Sequence, residues 1–104
     1  MKIRWEWHTG EEGAGSLSVE ADDQDAPTRS EIVKAMAFVL GAVSQINVIP
    51  GVRLQEVDGE PGWRYAAVAL DIPPEQFEAE VLPKLIDAGR KHAEWLIELG
   101  AIDG

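Results

Sequence analysis

A short apolar run that ends at a double proline constrains the fold of this chain more than any other feature. Residues 63 to 70 read Trp-Arg-Tyr-Ala-Ala-Val-Ala-Leu, which is too short and too continuous for an amphipathic helix. Pro73 and Pro74 follow, and this pair ends a strand while favouring the first turn of a helix. The sequence therefore predicts a strand that runs directly into the last helix. Because this strand is apolar on both faces, each face needs a covering layer.

The two faces of this strand differ in the size of their side chains. Alternation places Ala66, Val68, Leu70 and Ile72 on one face and Tyr65, Ala67 and Ala69 on the other. The alanines leave room for a second layer to approach closely. We expect that layer to come from elsewhere in the chain or from another copy.

The N-terminal part alternates in the manner of a β-hairpin. Residues 2 to 8 place Ile3, Trp5 and Trp7 on one face, and residues 16 to 21 alternate in the same way. The glycine-rich stretch from 9 to 15 supplies the turn between them. The sequence therefore predicts two antiparallel strands at the start of the chain.

A helix is predicted to follow, from Thr28 to about Ile46. Thr28 precedes Glu31 by three residues, the spacing of a capping box in which each side chain binds the other residue's amide. Two apolar stripes run along the helix, and Phe38 lies on a third side. Because so much of this helix is apolar, we expect Phe38 to remain available for contact with another chain.

The second half repeats the order of hairpin and helix. Residues 52 to 57 predict a third strand, 58 to 62 a turn with two glycines and a proline, and 63 to 72 the fourth strand. The last helix is expected to begin at Pro73-Pro74 and to end at Gly100. Pro83 lies inside it, so we expect a kink near Leu82.

These elements predict an α+β fold of order ββαββα. We expect one domain spanning residues 1 to 104, built as a two-layer sandwich with a four-stranded antiparallel sheet and two helices on one face. A chain of 104 residues can bury one core and is too short for two.

Charge and composition argue against several classes of partner and site. The net charge is −10, with 19 acidic and 9 basic residues, which disfavours direct binding of nucleic acid. There is no cysteine, so disulfides and thiolate sites are excluded. The N-terminus lacks the pattern of a signal peptide, and the most apolar stretch, 35 to 43, is far too short to span a membrane. We therefore expect a cytoplasmic protein with no membrane partner.

No motif in the sequence predicts catalysis. His8 lies near Glu11 and Glu12, and His92 could join them, but no fixed ligand spacing links these residues. The acidic residues from 22 to 25 are explained by the helix that follows them, because carboxylates favour the N-terminal end of a helix. There is no nucleophile elbow and no phosphate-binding loop. We expect no catalytic residue, no metal and no cofactor.

The aromatic residues of the chain predict a protein interaction surface. Tryptophan is enriched at the centres of protein interfaces, and this chain has four. Together with the spare apolar faces, they predict an interaction surface made of Trp5, Trp7, Phe38, Trp63, Tyr65, Ala67, Ala69 and Trp95.

Three hypotheses for function follow. The first is a non-catalytic acidic protein–protein interaction module, of the inhibitor, adaptor or immunity type, that forms a homodimer. The second is a small-ligand binding domain or small enzyme, whose pocket between sheet and helices is lined by Trp5, Trp7, Phe38, Tyr65 and His92. The third is a structural subunit of a larger assembly.

Overall fold

The structure of the chain, a computed structural model, describes residues 1–9, 13–60 and 62–101. Four strands and two principal helices alternate in the predicted order ββαββα. Their bounds are β1 Lys2–Trp7, β2 Ala14–Glu20, α1 Arg29–Ile46, β3 Val52–Glu60, β4 Trp63–Leu70, a single turn α2 Pro74–Gln76, a π-helical turn Phe77–Val81 and α3 Leu82–Glu98. The expected turn residues Glu11, Glu12 and Pro61 lie outside the described residues.

The sheet is antiparallel throughout and has the strand order β1-β2-β4-β3. Strands β2 and β4 are therefore central, while β1 and β3 form the edges. Helices α1 and α3 pack against each other and lie on one face of this sheet. The predicted α+β fold with a four-stranded antiparallel sheet is confirmed.

The core lies between the sheet and the helices. The side chains of β4 that point toward the helices are Ala66, Val68 and Leu70, as their alternation predicts. They pack with residues of β2, α1, the π-helical turn and α3, among which the largest fully buried side chains are Phe38, Phe77, Leu17, Ile46 and Leu85. Burial of these apolar side chains is the main source of stability, because no disulfide can contribute.

Helix α1 begins with the predicted capping box. The Thr28 hydroxyl accepts a hydrogen bond from the Glu31 amide at 3.1 Å, and the Glu31 carboxylate accepts one from the Thr28 amide at 3.2 Å. The same carboxylate accepts a hydrogen bond from the amide of Asp22 at 2.9 Å. Glu31 therefore joins the loop after β2 to the first turn of α1.

Two glycines bring α1 and α3 into close contact. A β-carbon at Gly41 of α1 would lie 2.7 Å from the Ala88 carbonyl oxygen, and one at Gly89 of α3 would lie 2.8 Å from the Phe38 ring. Phe38 fits into the space that Gly89 leaves and is 0% exposed. This corrects the expectation that Phe38 lies on a free side of the helix, since α3 covers that side.

The last helical segment changes its geometry before Pro83. Residues 77 to 81 form the π-helical turn, and regular α-helix begins at Leu82. Proline has no amide to continue the α-helical ladder, and a π turn is one way to accommodate a helix defect. The irregularity predicted near Leu82 is present as this turn.

A β-bulge determines which side chains of β3 face the helices. Leu54 pairs with Val68 and Glu56 pairs with Ala67, so Gln55 is an extra residue on β3. Beyond the bulge, Val57 pairs with Ala66 and faces the helices. The acidic residues of this part of the strand, Glu56, Asp58 and Glu60, therefore face the opposite side.

Candidate functional site

The candidate site is the face of the sheet that points away from the helices, called the open face below. No described helix or strand covers it, because α1 and α3 both pack on the other side. The strand register assigns to it Lys2, Arg4 and Glu6 of β1, Ala14, Ser16, Ser18 and Glu20 of β2, Trp63, Tyr65, Ala67 and Ala69 of β4, and Arg53, Glu56, Asp58 and Glu60 of β3.

Two aromatic side chains stack at one end of the open face. The rings of Trp63 and Tyr65 are 5.1 Å apart with an interplanar angle of 19°, and both residues are half-buried. Burial raises the pKa of Tyr65 above its ordinary value, and the charge and hydrogen bond of Glu56 and the charge of Asp58 raise it further. The Tyr65 hydroxyl therefore stays protonated at neutral pH and keeps its ability to donate a hydrogen bond.

Small side chains form the floor of the open face beside this aromatic pair. Ala67 is 5% exposed and Ala69 is 8% exposed, so neighbouring side chains cover them almost completely. Ser16 and Ala14 lie opposite them on β2. The open face is therefore low along its central strands, with longer side chains along its edges.

The two edges of the open face differ in charge. Strand β1 carries Lys2 and Arg4, and the Arg4 guanidinium forms a close ion pair with Glu20. Strand β3 carries the three acidic residues that follow its bulge. Arg53 at the other end of β3 pairs with Asp71, with Nε 3.3 Å from Oδ2. The β1 edge thus carries two cations beside the carboxylates of Glu6 and Glu20, opposite a β3 edge with three acidic residues.

Trp5 and Trp7 lie on the opposite face, against the core. Their ring centroids are 4.6 Å and 5.9 Å from that of Phe77, and Trp7 Nε1 donates a hydrogen bond to Glu78 Oε1 at 2.6 Å. Gly15 makes room for the Trp5 ring, since a β-carbon there would overlap it. The two residues therefore connect the π-helical turn to β1, and they do not share a surface with Trp63 and Tyr65.

Trp95 lies on a third surface, on the outer side of α3. It is 53% exposed, and its ring is 5.8 Å from that of His92. Both residues line a shallow groove of about 520 Å³ between α1 and α3, with Lys84, Asp87 and Lys91. Lys91 Nζ lies 2.9 Å from Asp87 Oδ2, and this pairing raises the pKa of Lys91. The groove thus contains an ion pair within its own lining.

The alternative pocket between sheet and helices is not formed by the residues that suggested it. Tyr65 faces the open side of the sheet, Phe38 is inside the core, and His92 lies on the outer side of the helices. These three residues are on different layers of the molecule, so they cannot line a common cavity. The alternation that placed Tyr65 correctly on its strand carried no information about His92.

A second apolar surface was not expected from the sequence. Met36 and Leu40 of α1 and Val57 of β3 line a groove of about 270 Å³ with Val39, Asp58, Gly59 and Arg64. The sequence predicted a turn at 58 to 62, whereas Asp58 and Gly59 continue β3 as paired strand residues. The groove beside them was therefore not predicted. The spacing of Val52, Leu54 and Val57, which breaks strict alternation, was the available sign of a bulge.

The shifted titratable groups of the described chain lie at three places, since Asp22 and Glu31 are in contact. Besides Tyr65 and Lys91, Asp22 and Glu31 are affected. A hydrogen bond from the N-terminal amine and its positive charge lower the pKa of Asp22. Hydrogen bonds from the amides of Thr28 and Asp22 lower the pKa of Glu31. Each shift therefore has a local structural cause.

Metal-ligating side chains do not cluster in the part of the chain that the structure describes, where no group of three His, Asp or Glu residues could hold an ion. His8, the histidine nearest to a possible site, has its Nε2 2.6 Å from Ser16 Oγ. Glu11 and Glu12 are outside the described residues.

None of the described helices combines the length and the apolar content needed to cross a membrane. Comparisons with protein-family models, with curated proteins and with solved structures found no match to this chain.

Proposed function

We propose that the chain is a non-catalytic protein–protein interaction module, of the inhibitor, adaptor or immunity type, that forms a homodimer through the open face of its sheet. The observation that carries this proposal is the uncovered sheet face with a stacked aromatic pair beside a floor of small side chains. Aromatic surface such as that of Trp63 and Tyr65 is stabilised by exclusion of water. Ala67 and Ala69 were expected to add spare apolar surface, but neighbouring residues already cover them, so they contribute small size and little area.

A two-fold axis parallel to the strands gives this dimer a matched set of charges. Such an axis places β1 of one copy over β3 of its partner, because these strands form opposite edges of the sheet. Lys2 and Glu60 lie on the same cross-strand row, which also includes Glu20 and Trp63. Lys2 of each copy would therefore face Glu60 of the partner.

The next row along the sheet repeats the match. Arg4 and Asp58 share a row with Ser18 and Tyr65, so Arg4 of each copy would face Asp58 of the partner. The third row opposes Glu6 to Glu56, a like-charge pair that offsets part of this match. Opposite charges at the rim favour this orientation over one that places β3 on β3.

The size of the open face predicts a reversible dimer. Four strands spaced by about 4.8 Å and eight residues rising about 3.3 Å each give a face of about 500 Å². Two copies would bury about 1,000 Å² in total, at the lower end for specific interfaces. We therefore expect association to depend on concentration in the micromolar range.

Sedimentation analysis across a series of concentrations tests the proposal. The mass of the wild-type chain is expected to rise from one copy toward two. Ala67→Arg places a long cation on the floor of the open face and is expected to keep the chain monomeric. Ala101→Arg is the matched control, because Ala101 is exposed beyond α3 and should leave dimerisation unchanged.

Charge reversal tests the orientation of the dimer. Arg4→Glu and Asp58→Arg are each expected to weaken association, and the double variant should recover part of the loss because the facing charges are opposite again. Circular dichroism confirms that each variant is folded. A wild-type chain that remains monomeric at about 1 mM, or an Ala67→Arg variant that dimerises normally, contradicts the proposal. Species larger than a dimer would instead support a structural subunit.

A further inference from the structure

The groove between α1 and β3, defined by Met36, Leu40 and Val57, has the features of a peptide-binding site. These three side chains converge on it although each is exposed, Leu40 to 56%. Its volume of about 270 Å³ is at the lower limit of small-molecule pockets, which usually run from about 300 to 1,000 Å³. It can therefore hold an apolar side chain more readily than a whole metabolite.

Arg64 supplies the basic side chain in the lining of this groove. Its side chain points to the helix side of β4 and crosses β3 at Gly59, where a β-carbon would overlap the guanidinium. Arg64 Nε is buried and has no hydrogen-bond acceptor among the residues that the structure describes. Because Arg64 lines the groove, its positive charge favours a ligand that brings an anionic oxygen.

The acidic residues closest to Arg64 do not neutralise it. Asp58 lines the same groove as Arg64, and its Oδ1 accepts a hydrogen bond from the Gly59 amide at 2.7 Å. Glu31 and Glu60 line a smaller cavity beside Arg64. None of the three forms an ion pair with Arg64 in the described chain. The Glu31 carboxylate is occupied by the amides of Thr28 and Asp22. The guanidinium is therefore available to a carboxylate from outside.

The neighbouring strand β3 offers main-chain partners to an extended segment. It is an edge strand, so the backbone groups on its outer side have no sheet partner in the described chain. The bulge at Gln55 interrupts this edge, and the regular part that follows, 56 to 60, lies beside the groove. An added strand would alternate its side chains between the groove and the acidic side of β3.

We propose that the α1–β3 groove binds the C-terminal residues of a partner protein. The segment pairs with β3 as an added strand, an apolar side chain lies between Met36, Leu40 and Val57, and the terminal carboxylate binds the Arg64 guanidinium. A terminal carboxylate suits the site better than an acidic side chain within a longer acidic segment, because Glu56, Asp58 and Glu60 repel such a segment. They favour basic residues upstream instead.

This site overlaps the proposed dimer contact only at the acidic residues of β3, because Asp58 borders both surfaces. The apolar lining and Arg64 are on the helix side of β3, and the dimer uses the open face. The Ala67→Arg variant is therefore expected to keep the preference for a free carboxylate over an amide, so failure of one proposal does not imply failure of the other.

A pair of synthetic peptides that differ in one group tests the inference. The probes are acetyl-Lys-Val-Lys-Val with a free carboxylate and the same peptide with a C-terminal amide. Titration calorimetry is expected to show at least about tenfold tighter binding of the free carboxylate. In NMR spectra, the shifted amides should be those of residues 56 to 60 of β3, of Met36 and Leu40, and of Arg64.

Two variants test whether the Arg64 guanidinium binds the terminal carboxylate of the peptide. Arg64→Met keeps the aliphatic stem and is expected to abolish the difference between the two peptides, whereas Arg90→Met, an exposed cation on α3, should preserve it. If Arg64→Met does not fold, the binding of the two peptides to the wild-type chain still tests whether the groove binds a terminal carboxylate. The inference is overturned if the free-acid and C-terminal amide peptides bind equally, or if neither peptide binds at about 1 mM. It is also overturned if octanoate binds as tightly as the free-acid peptide, or if the backbone NMR shifts occur at other residues.

Discussion

At the scale of single residues, reciprocal hydrogen bonds hold the start of α1. Glu31 accepts hydrogen bonds from two backbone amides, one from its own helix and one from the loop after β2. Thr28 completes the reciprocal cap. These contacts fix where α1 begins relative to the sheet, and through α1 they fix one wall of the groove beside β3.

Loss of the Thr28 hydroxyl should destabilise the chain. Thr28→Ala removes the acceptor for the Glu31 amide and is expected to lower the free energy of unfolding by about 1 kcal/mol. Thr28→Ser keeps the hydroxyl and should stay within about 0.5 kcal/mol of wild type. Urea unfolding followed by circular dichroism measures both. Equal stability of the alanine and serine variants would show that the cap contributes nothing.

Glu31 should contribute to acid sensitivity. Its pKa in the folded chain is below the ordinary value of 4.5, since two amides bind the ionised form. Its contribution to stability is therefore fully present above pH 4.5 and is lost as the pH falls through the folded pKa. Glu31→Gln should lower stability at pH 7 and flatten the loss of stability below pH 4.5. A variant with the same acid dependence as wild type contradicts this.

At the scale of elements, the contact between α1 and α3 depends on missing side chains. Gly89 leaves the space that Phe38 fills, and Gly41 allows the Ala88 carbonyl to approach. The close approach makes Phe38 a core residue. It also leaves Met36 and Leu40 on the side of α1 that neither α3 nor the sheet covers.

A methyl group at this contact should force the helices apart. Gly89→Ala would place its β-carbon 2.8 Å from both the ring and the carbonyl oxygen of Phe38. The gain in helix propensity is about 1 kcal/mol, and overpacking costs about 1 to 3 kcal/mol, so we expect a net loss of stability. Arg90→Ala, on the exposed side of the same helix, should be nearly neutral. Chemical denaturation compares the two variants, and a stabilised Gly89→Ala would refute the close contact.

Elements with a local signal could be predicted from the sequence, and contacts between elements could not. Alternation assigned Ala66 and Tyr65 to the correct faces of β4, and the Thr28–Glu31 spacing located the start of α1. Phe38 was assigned to a free side because nothing in its own helix shows that Gly89 will receive it. Trp5 and Trp7 were included in the interaction surface, since one strand does not reveal which face the helices will cover.

The candidate site was predictable only in part, for the same physical reason. Trp63, Tyr65, Ala67 and Ala69 were named together, and they share the open face because all four belong to one strand. Trp95 was grouped with them as a tryptophan offset from the apolar stripe of the last helix, and it lies on the other side of the molecule. Arg64 was missed because its special environment arises from Gly59 on the neighbouring strand.

At the scale of the whole molecule, the distribution of charge is the dominant property. A net charge of −10 on 104 residues opposes compaction through repulsion at long range. The Arg53–Asp71 and Lys91–Asp87 ion pairs are exposed and offset little of it. The same repulsion opposes approach of a second copy. In the proposed dimer, the attraction of Lys2 and Arg4 to the β3 edge of the partner therefore has to act at short range, once salt has screened the long-range repulsion.

Added salt should therefore stabilise the folded chain. Raising sodium chloride from about 10 mM to about 150 mM shortens the screening length from about 30 Å to about 8 Å, which weakens repulsion among distant carboxylates. The urea midpoint of the Ala67→Arg chain, chosen so that association does not contribute, is expected to rise. Combining Glu94→Gln and Glu98→Gln with Ala67→Arg should reduce the rise of the urea midpoint with salt. A midpoint that falls with salt would mean that attractive pairs outweigh the repulsion.

The bulge in β3 also affects how this strand tolerates a change in length. Elsewhere in a strand, loss of one residue moves every later side chain to the opposite side of the sheet. Here Gln55 has no paired residue of its own on β4, so a chain lacking it could join Leu54 directly to Glu56 and continue in the same phase. Position 55 is therefore the one point in this edge strand at which a deletion would leave both the hydrophobic and the acidic sides in place.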